Sequence, residues 1–186
     1  TTAYNFEEKG IPFMVLKPSA DIRDGENIIK SRVGMERECI SVDTDVNIYK
    51  AVENYNNILK STFSKLEWIL VDECQFLTEE QVDQLSKIVD KLDINVMCFG
   101  LRTDFTSHCF PASRRLFELA DYIEEVKARC ECGKKAMFNV RLIDGKVQTE
   151  GESVAIDGEG KVTYTVACAR CFRLKTHKKF SDNIPE

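Results

Sequence analysis

Two adjacent carboxylates, Asp72 and Glu73, follow a short apolar run that begins at Trp68. The run does not alternate between apolar and polar residues, which is typical of a strand buried on both faces of a parallel sheet. Ligands bind beyond the carboxyl ends of such strands, so both side chains are predicted to lie at a binding edge. One carboxylate there can hold Mg²⁺, usually through water, while the other accepts a proton from a substrate hydroxyl. The alternative is a buried strand that simply ends in a polar turn.

Four of the eight cysteines form two close pairs, Cys130 with Cys132 and Cys168 with Cys171. These C-x-C-G and C-x-x-C patterns each lie beside a predicted strand, and four thiolates so placed favour a closed, structural zinc site of the zinc-ribbon kind. The other four cysteines are scattered singly, which fits reduced thiols in the cytoplasm better than a disulfide framework. Two disulfides, or four thiols without a metal, are the alternatives, and C-x-C is one residue shorter than the usual spacing.

The composition argues against several classes of protein. The net charge is −5 with no broad basic surplus, so no nucleic-acid partner is expected. No apolar run approaches the roughly 20 residues that a membrane span needs, and the start of the chain has no secretory signal pattern. The hydrophobic content of 43% allows a substantial core. We therefore expect a cytoplasmic protein without a membrane partner.

The elements that must position these groups fall into two predicted domains. Strand and helix patterns alternate over residues 1–121, which predicts an α/β domain with a parallel sheet. Within it, Thr78 and Gln81 form a T-x-x-Q capping box that predicts the start of a helix. Residues 122–186 contain three strand-like stretches, beginning near 122, 136 and 161, with an Asp-Gly hairpin turn and no evident helix. A β domain of this size needs support beyond its own core.

Several motifs in this chain, taken in their order, resemble those of the cytosolic type II thymidine kinases. They are D-E-x-Q-F at 72–76, G-L-R-T-D-F at 100–105, C-x-C-G at 130–133, and a Tyr four residues before the C-x-x-C pair. The C-x-C-G form is closer to the bacterial branch, and the resemblance extends from Tyr4 to about Phe172. It implies a P-loop NTPase (RecA-like) parallel sheet core with a small β zinc-ribbon and lasso domain. It also implies ATP-dependent phosphorylation of the thymidine 5′-hydroxyl, giving TMP and ADP.

The resemblance implies roles for individual residues. Glu73 matches the proposed general base for the 5′-hydroxyl, and Asp72 matches the acid that binds Mg²⁺ with the ATP phosphates. Asp21 and Arg23 match a D-x-R pair near the phosphates, for which a solvated loop is the alternative. Residues that match the family's nucleoside site are Gln75, Phe76, Phe105, Phe110, Ile156, Gly158 and Tyr164. Ordinary core packing is the alternative for the aromatic pair Phe105 and Phe110. The paired cysteines match the family's structural zinc ligands.

The sequence departs from the family at two points. The phosphate-binding loop G-x-x-x-x-G-K-[ST] is absent from these 186 residues. We expect it upstream of Thr1, because residues 1–10 resemble the end of a helix that stops at Gly10. True loss of the loop would instead favour a zinc-ribbon binding module on an inactive core. In addition, Asp157 stands where the family's lasso has a glycine, and the lasso is somewhat longer.

The resemblance also implies properties of the whole protein. These are ATP and thymidine as partners, a homotetrameric assembly and feedback by dTTP. Deoxyuridine and related pyrimidines would fit the same flat pocket, and the sequence does not rank them.

Overall fold

The computed structural model describes residues 2–20, 28–30, 36–61, 65–152 and 161–176. The chain divides into two compact units, each with most of its contacts within itself. The first unit comprises Thr1–Arg102 and Phe110–Asp121, and the second comprises Thr103–Cys109 and Tyr122–Glu186. The loop Thr103–Cys109 thus groups with the β-rich part of the chain, although it precedes the boundary that the sequence predicts after residue 121.

A four-stranded parallel sheet forms the centre of the first unit, and the predicted α/β fold class is confirmed. Its strands are β1 (Phe13–Pro18), β4 (Ile40–Val42), β5 (Trp68–Val71) and β6 (Asn95–Cys98), in the order β4-β1-β5-β6. Two further short strands, β2 (Ile28–Lys30) and β3 (Glu36–Glu38), form a separate antiparallel pair. Strands β1 and β5 occupy the central positions of the sheet, where apolar sequences are typical, and most of their residues are buried.

In the described residues of the first unit, the helices are α1 (Thr2–Glu8), α2 (Ile48–Ser61), α3 (Glu79–Leu92) and α4 (Pro111–Leu119). Gly10 ends the first of them, as predicted, with a positive φ of 64°. The amide of Gly10 donates to the Glu7 carbonyl and that of Ile11 to the Phe6 carbonyl, which is the pattern of a Schellman motif. The predicted capping box at the start of α3 is also confirmed.

The core of the first unit lies between the sheet and helices α2, α3 and α4. On β5, Ile69 and Val71 are completely buried, and Ile88 of α3 is buried to the same degree. The other buried members of this cluster are Met14, Leu16, Val42, Ile48, Val52, Leu66, Cys74, Leu77, Val82, Leu85, Ile94 and Ala112. This packing fixes the end of β5, and therefore the backbone that carries the two carboxylates.

The second unit is built on an antiparallel sheet in the order β10-β9-β11. Its strands are β9 (Phe138–Ile143), β10 (Lys146–Val147) and β11 (Val162–Ala167), and a separate hairpin joins β7 (Ala128–Arg129) to β8 (Lys135–Ala136). The predicted Asp-Gly turn connects β9 to β10, with φ of 47° at Asp144 and 77° at Gly145. Both positive values match the type I′ hairpin turn that this dipeptide favours.

Two predictions for the second unit are wrong. The sequence indicated no helix there, but α5 spans Ala169–Thr176 and begins directly after Cys168. The stretch after residue 121 is not a strand, because only its end joins β7 and its apolar residues are exposed, Tyr122 by 79% and Val126 by 89%. The helix was missed because its eight residues include three basic side chains and few apolar ones, so no helical apolar pattern stands out. In the described part of the chain, no helix has the length and apolar character needed to cross a membrane.

Candidate functional site

Asp72 and Glu73 directly follow β5 at the carboxyl end of the parallel sheet, which is where the sequence predicted them. The backbone N–H of Asp72 donates to the Leu16 carbonyl at 2.9 Å, and that of Phe99 donates to the Val71 carbonyl at 2.8 Å. The Oδ1 atom of Asp72 accepts a hydrogen bond from the Glu73 amide at 3.0 Å. Both carboxylates are half-buried, so they are tied to the sheet and still accessible from solvent.

Glu73 has a left-handed backbone, with φ of 48° and ψ of 38°. This conformation is uncommon for a residue other than glycine and costs about 1–3 kcal/mol, so the surrounding contacts must hold it. It turns the chain from β5 into a short 3₁₀ helix, Cys74–Phe76. The amide of Cys74 then donates to the Phe99 carbonyl at 3.0 Å, which ties this turn to the end of β6.

Gln75 orients the carboxylate of Glu73. Its side chain is only 2% exposed, and its Nε2 atom donates to Glu73 Oε2 at 2.5 Å. Its Oε1 atom accepts from the Leu101 amide at 3.0 Å, so both ends of the amide are engaged within the protein. A Cβ at Gly100 would lie 2.6 Å from that Oε1 atom, and glycine is therefore required for this approach. The predicted contact of Gln75 with a nucleoside stays a prediction.

Two of the predicted nucleoside-site aromatics, Phe76 and Phe110, contact each other. Their ring centroids are 5.8 Å apart and their planes meet at 87°, the edge-to-face arrangement that aromatic pairs prefer. Phe110 is 8% exposed and immediately precedes α4. The same helix is tied to the turn after β6, since Ser113 Oγ donates to the Leu101 carbonyl at 2.6 Å. The pair lies on the same unit as Asp72 and Glu73.

The other described members of the predicted nucleoside site, Phe105 and Tyr164, lie on the second unit. Phe105 is 2% exposed within the loop Thr103–Cys109, whereas Tyr164 on β11 is 54% exposed. Asp104 shapes that loop, because its Oδ1 atom accepts from the amides of Thr106 at 2.8 Å and His108 at 3.1 Å. Four predicted site residues, Asp21, Arg23, Ile156 and Gly158, lie outside the described residues.

Lys17 was not singled out from the sequence, although it lies at the same edge of the sheet. Leu16 pairs with Val71 in the parallel register, so Lys17 and Asp72 are the next residues of adjacent strands. The side chain of Lys17 is 1% exposed, and its Nζ atom donates to the Ile28 carbonyl at 3.3 Å. A lysine at the end of an otherwise apolar strand was the available signal, since buried lysines are rare without a specific use.

The four paired cysteines converge in the second unit and fit a tetrahedral metal ion. Their Sγ atoms all lie within 4.8 Å of one another, and those of Cys132 and Cys168 are 3.6 Å apart. Four Zn–S bonds of about 2.3 Å in a tetrahedron require sulfur–sulfur separations of about 3.8 Å. The turn between β7 and β8 presents the first pair, with Gly133 at φ 82° and its amide donating to the Cys130 carbonyl at 2.8 Å.

Backbone amides favour the ionised form of two of these thiols. The N–H groups of Cys132 and then Cys168 lower the pKa of Cys130 to about 6, and the N–H of Cys171 lowers the pKa of Cys168. Cys171 is surrounded by the thiols of Cys132, Cys168 and Cys130, which raise its pKa to about 12. The thiolate is the form of cysteine that binds a metal. A bound cation would therefore stabilise the thiolates and offset the effect of the neighbouring thiols on the pKa of Cys171. The structure has all eight cysteines as free thiols.

Comparison with known proteins agrees with these features. Residues 1–172 match the profile of the family described as "Thymidine kinase". A thymidine kinase of Francisella tularensis subsp. holarctica is 41% identical over 157 residues, covering 84% of this chain and 77% of that protein. Thymidine kinases of Shewanella oneidensis and Rhodopirellula baltica are 41% and 38% identical, covering 92% and 99% of this chain and 86% and 84% of those proteins. The chain belongs to the thymidine kinase family.

Proposed function

We propose that this protein transfers the γ-phosphoryl group of ATP to the 5′-hydroxyl of thymidine, giving TMP and ADP. The observation that carries the proposal is the carboxylate pair at the carboxyl end of β5, with Glu73 oriented by Gln75. The identity of the substrates is proposed from family membership. The geometry gives a reason why the carboxyl end of the parallel sheet suits the reaction. Phosphoryl transfer depends mainly on positioning and on neutralisation of charge, and both require fixed groups.

The two carboxylates have different proposed roles. Asp72 would hold Mg²⁺, which in turn would neutralise charge on the ATP phosphates. Glu73 would accept the proton of the 5′-hydroxyl as that oxygen attacks the γ-phosphorus. The hydrogen bond from Gln75 Nε2 to Glu73 Oε2 fixes the orientation of the carboxylate that is proposed to accept this proton. Asp21 and Arg23 are proposed to lie near the phosphates on the basis of their family match.

The residues that match the family's nucleoside site are proposed to contact the nucleoside. In the first unit, the edge-to-face pair Phe76 and Phe110 offers flat apolar surface that suits a pyrimidine ring. In the second unit, Phe105 and the half-exposed Tyr164 are the proposed contacts. Gln75, Ile156 and Gly158 are retained as proposed nucleoside contacts through the family match.

Zinc is the proposed metal of the four-cysteine cluster, in a structural role. The support is the closeness of four sulfur ligands within 4.8 Å, which leaves no ligand position for a substrate once all four bind. We expect about one zinc ion per chain by elemental analysis of freshly purified, reduced protein. A protein that folds normally without any bound metal would contradict this assignment.

The reaction is tested with a coupled assay of ADP release on the full-length protein, with ATP and Mg²⁺. Thymidine is compared with deoxyuridine and with purine nucleosides. Thymidine-dependent ADP release, with TMP identified by mass spectrometry, would establish the activity. If the full-length protein binds thymidine but releases no ADP, the alternative of a binding module on an inactive core would replace the proposal.

Assembly, regulation and compartment are proposed with support from the family and from the cysteines. A homotetramer is expected, and light scattering across a range of protein concentrations measures it. Inhibition by dTTP is expected, and it should be competitive with thymidine. A cytoplasmic location is proposed because eight free cysteines, of which Cys39 and Cys74 are buried outside the metal cluster, suit a reducing compartment.

A further inference from the structure

Arg141, on β9, is a buried cation with an unusual set of partners. Its side chain is only 2% exposed, and its guanidinium carbon lies 3.8 Å from the centre of the Phe105 ring. Its Nη1 atom donates to the Glu152 carbonyl at 2.7 Å. These contacts place one planar cation between an aromatic face and a backbone oxygen, which is a geometry that arginine satisfies and lysine does not.

The described residues give the guanidinium of Arg141 an incomplete set of partners. Among the described residues it forms no ion pair, and its buried Nε atom has no hydrogen-bond partner. A buried charge that lacks a carboxylate partner is costly, and a hydrophobic residue of similar volume would often be as stable or more stable. Among the described residues, Arg141 interacts with the Phe105 ring and with the Glu152 carbonyl, and these contacts indicate what it positions.

The neighbouring residues show what Arg141 holds in place. Asn139, two residues earlier on β9, donates from Nδ2 to the Thr103 carbonyl at 3.1 Å, so this strand anchors the loop that carries Phe105. On the other side, Gly151 has φ of 120°, and a Cβ there would lie 2.7 Å from Arg141 Nη2. The backbone at 151–152 is thus fitted closely to the guanidinium, as the Phe105 ring is.

We propose that Arg141 is a positioning residue for nucleoside binding, which acts by holding the Phe105 ring and the backbone at Glu152 in fixed relation. This inference rests on the proposed function, because it takes Phe105 as a contact of the nucleoside. The guanidinium covers one face of the Phe105 ring, and the residue is 2% exposed, so the ring is held at one position beside the proposed nucleoside site. A ring that is already held in position loses less conformational entropy when the nucleoside binds, and the affinity for the nucleoside is therefore higher.

The test compares Arg141→Met and Arg141→Lys with the wild-type full-length protein. Arg141→Met keeps the apolar stem and removes the planar cation. We expect its KM for thymidine to rise about tenfold, equivalent to about 1.4 kcal/mol, with kcat changed less than about threefold. The KM for ATP and the zinc content should be unchanged. Arg141→Lys should recover part of the loss, since it keeps the charge without the planar stacking group.

A matched control and a double variant separate positioning from a general effect on the fold. Lys87→Met removes another cation–π contact, in which Lys87 Nζ lies 4.2 Å from the Tyr49 ring, and should leave every constant unchanged. In a Phe105→Leu background, Arg141→Met should raise KM for thymidine by less than about twofold, because the two residues act as one unit.

The outcomes distinguish this inference from the proposed function. Wild-type protein that fails to phosphorylate thymidine would overturn the function itself. Active wild-type protein, with an unchanged KM for thymidine in both Arg141 variants or with effects that multiply in the double variant, would overturn only the role of Arg141. If Arg141→Met does not fold, Arg141→Lys decides alone, since an unchanged KM in that variant contradicts a role that needs a planar cation.

Discussion

At the scale of single residues, the candidate site depends on one side chain that is almost completely buried. Gln75 joins the Glu73 carboxylate to the Leu101 amide, and it is buried within the turn that follows β5. Glu73 has a left-handed backbone that is held by these contacts. A proton acceptor is useful only when its oxygen is held at the reacting hydroxyl, so the amide is as important to the proposed reaction as the carboxylate.

Replacement of the proposed base is the most direct test at this scale. We expect Glu73→Gln to reduce kcat about a hundredfold or more, because it removes the proton acceptor and changes little volume. Thymidine binding, measured by calorimetry, should stay within about threefold, since the side chain is not an apolar wall of the pocket.

Glu67→Gln is the matched control, because Glu67 is an exposed carboxylate at the opposite end of the same strand. Its kcat should equal that of the wild type. Near-normal turnover in Glu73→Gln would dismiss Glu73 as the base and leave the reaction to positioning alone.

Gly100 provides an independent test of the support around Glu73. A Cβ at this position would lie 2.6 Å from both Cys74 Sγ and Gln75 Oε1. Gly100→Ala should therefore displace the Gln75 amide, lower kcat, and reduce the free energy of unfolding by about 1–3 kcal/mol.

Gly145→Ala is the comparison for Gly100→Ala, since a Cβ at Gly145 meets no atom within 4 Å but its φ is 77°. We expect it to cost about 1 kcal/mol through its backbone conformation and to leave kcat intact. If Gly100→Ala kept full turnover, the hydrogen bond from Gln75 to Glu73 would not be needed for the reaction.

At the scale of elements, the sequence predicted helices, strands and turns best where their formation depends on residues that are close together in the chain. The apolar run of β5, the capping box of α3 and the Asp-Gly turn after β9 were all predicted, because each depends on neighbouring residues alone. The helix α5 was not predicted, because its buried side is limited to residues such as Phe172, whose partner Phe138 comes from a distant strand. The rings stack with centroids 4.7 Å apart, a contact that no local pattern reveals.

The same limit explains what was missed in the candidate site. The motif D-E-x-Q-F indicated that Gln75 was important, but its partner at Leu101 follows a different strand. Arg141 gave no local signal, since its contact with Phe105 joins β9 to a loop far earlier in the chain. Contacts of this kind depend on the register of whole elements, which sequence patterns fix only approximately.

Gln81 offers a test at the scale of elements, because it links the start of α3 to the chain before α2. Its Nε2 atom donates to the carbonyls of Asp43 at 2.7 Å and Val46 at 3.2 Å, and the residue is 2% exposed. Gln81→Leu should lower the free energy of unfolding by about 2–3 kcal/mol, since it removes the bonds to both carbonyls and the bond that Gln81 Oε1 accepts from the Thr78 amide. Unfolding in urea, followed by Trp68 fluorescence, measures this change.

The cap itself contributes less than this link, so Thr78→Ala should cost only about 1 kcal/mol. Thr78→Ser keeps the hydroxyl that accepts from the Gln81 amide and should have little effect. If Gln81→Leu and Thr78→Ala reduced the free energy of unfolding equally, the hydrogen bonds from Gln81 to the Asp43 and Val46 carbonyls would add no stability beyond that of the cap.

At the scale of the whole molecule, the two units have separate cores with different sources of stability. The first core contains only apolar residues and one cysteine, Cys74. The second is small, and its buried members include Cys130 and Cys168, two of the proposed zinc ligands. Loss of the metal would therefore remove part of the second core, because charged or mutually repelling thiols would replace bonded sulfur. The first core has no such dependence.

Removal of zinc should consequently affect the two units differently. Trp68, the only tryptophan, lies on β5 with its ring 5.2 Å from Phe6, so its fluorescence reports on the first unit. After chelation under reducing conditions, we expect loss of β signal in circular dichroism and loss of thymidine binding, with unchanged Trp68 emission and urea midpoint.

Cys132→Ser should reproduce these losses, whereas Cys109→Ser, an exposed cysteine outside the cluster, should retain zinc and activity. A shift of Trp68 emission together with metal loss would contradict independent cores and would mean that the zinc cluster stabilises both units.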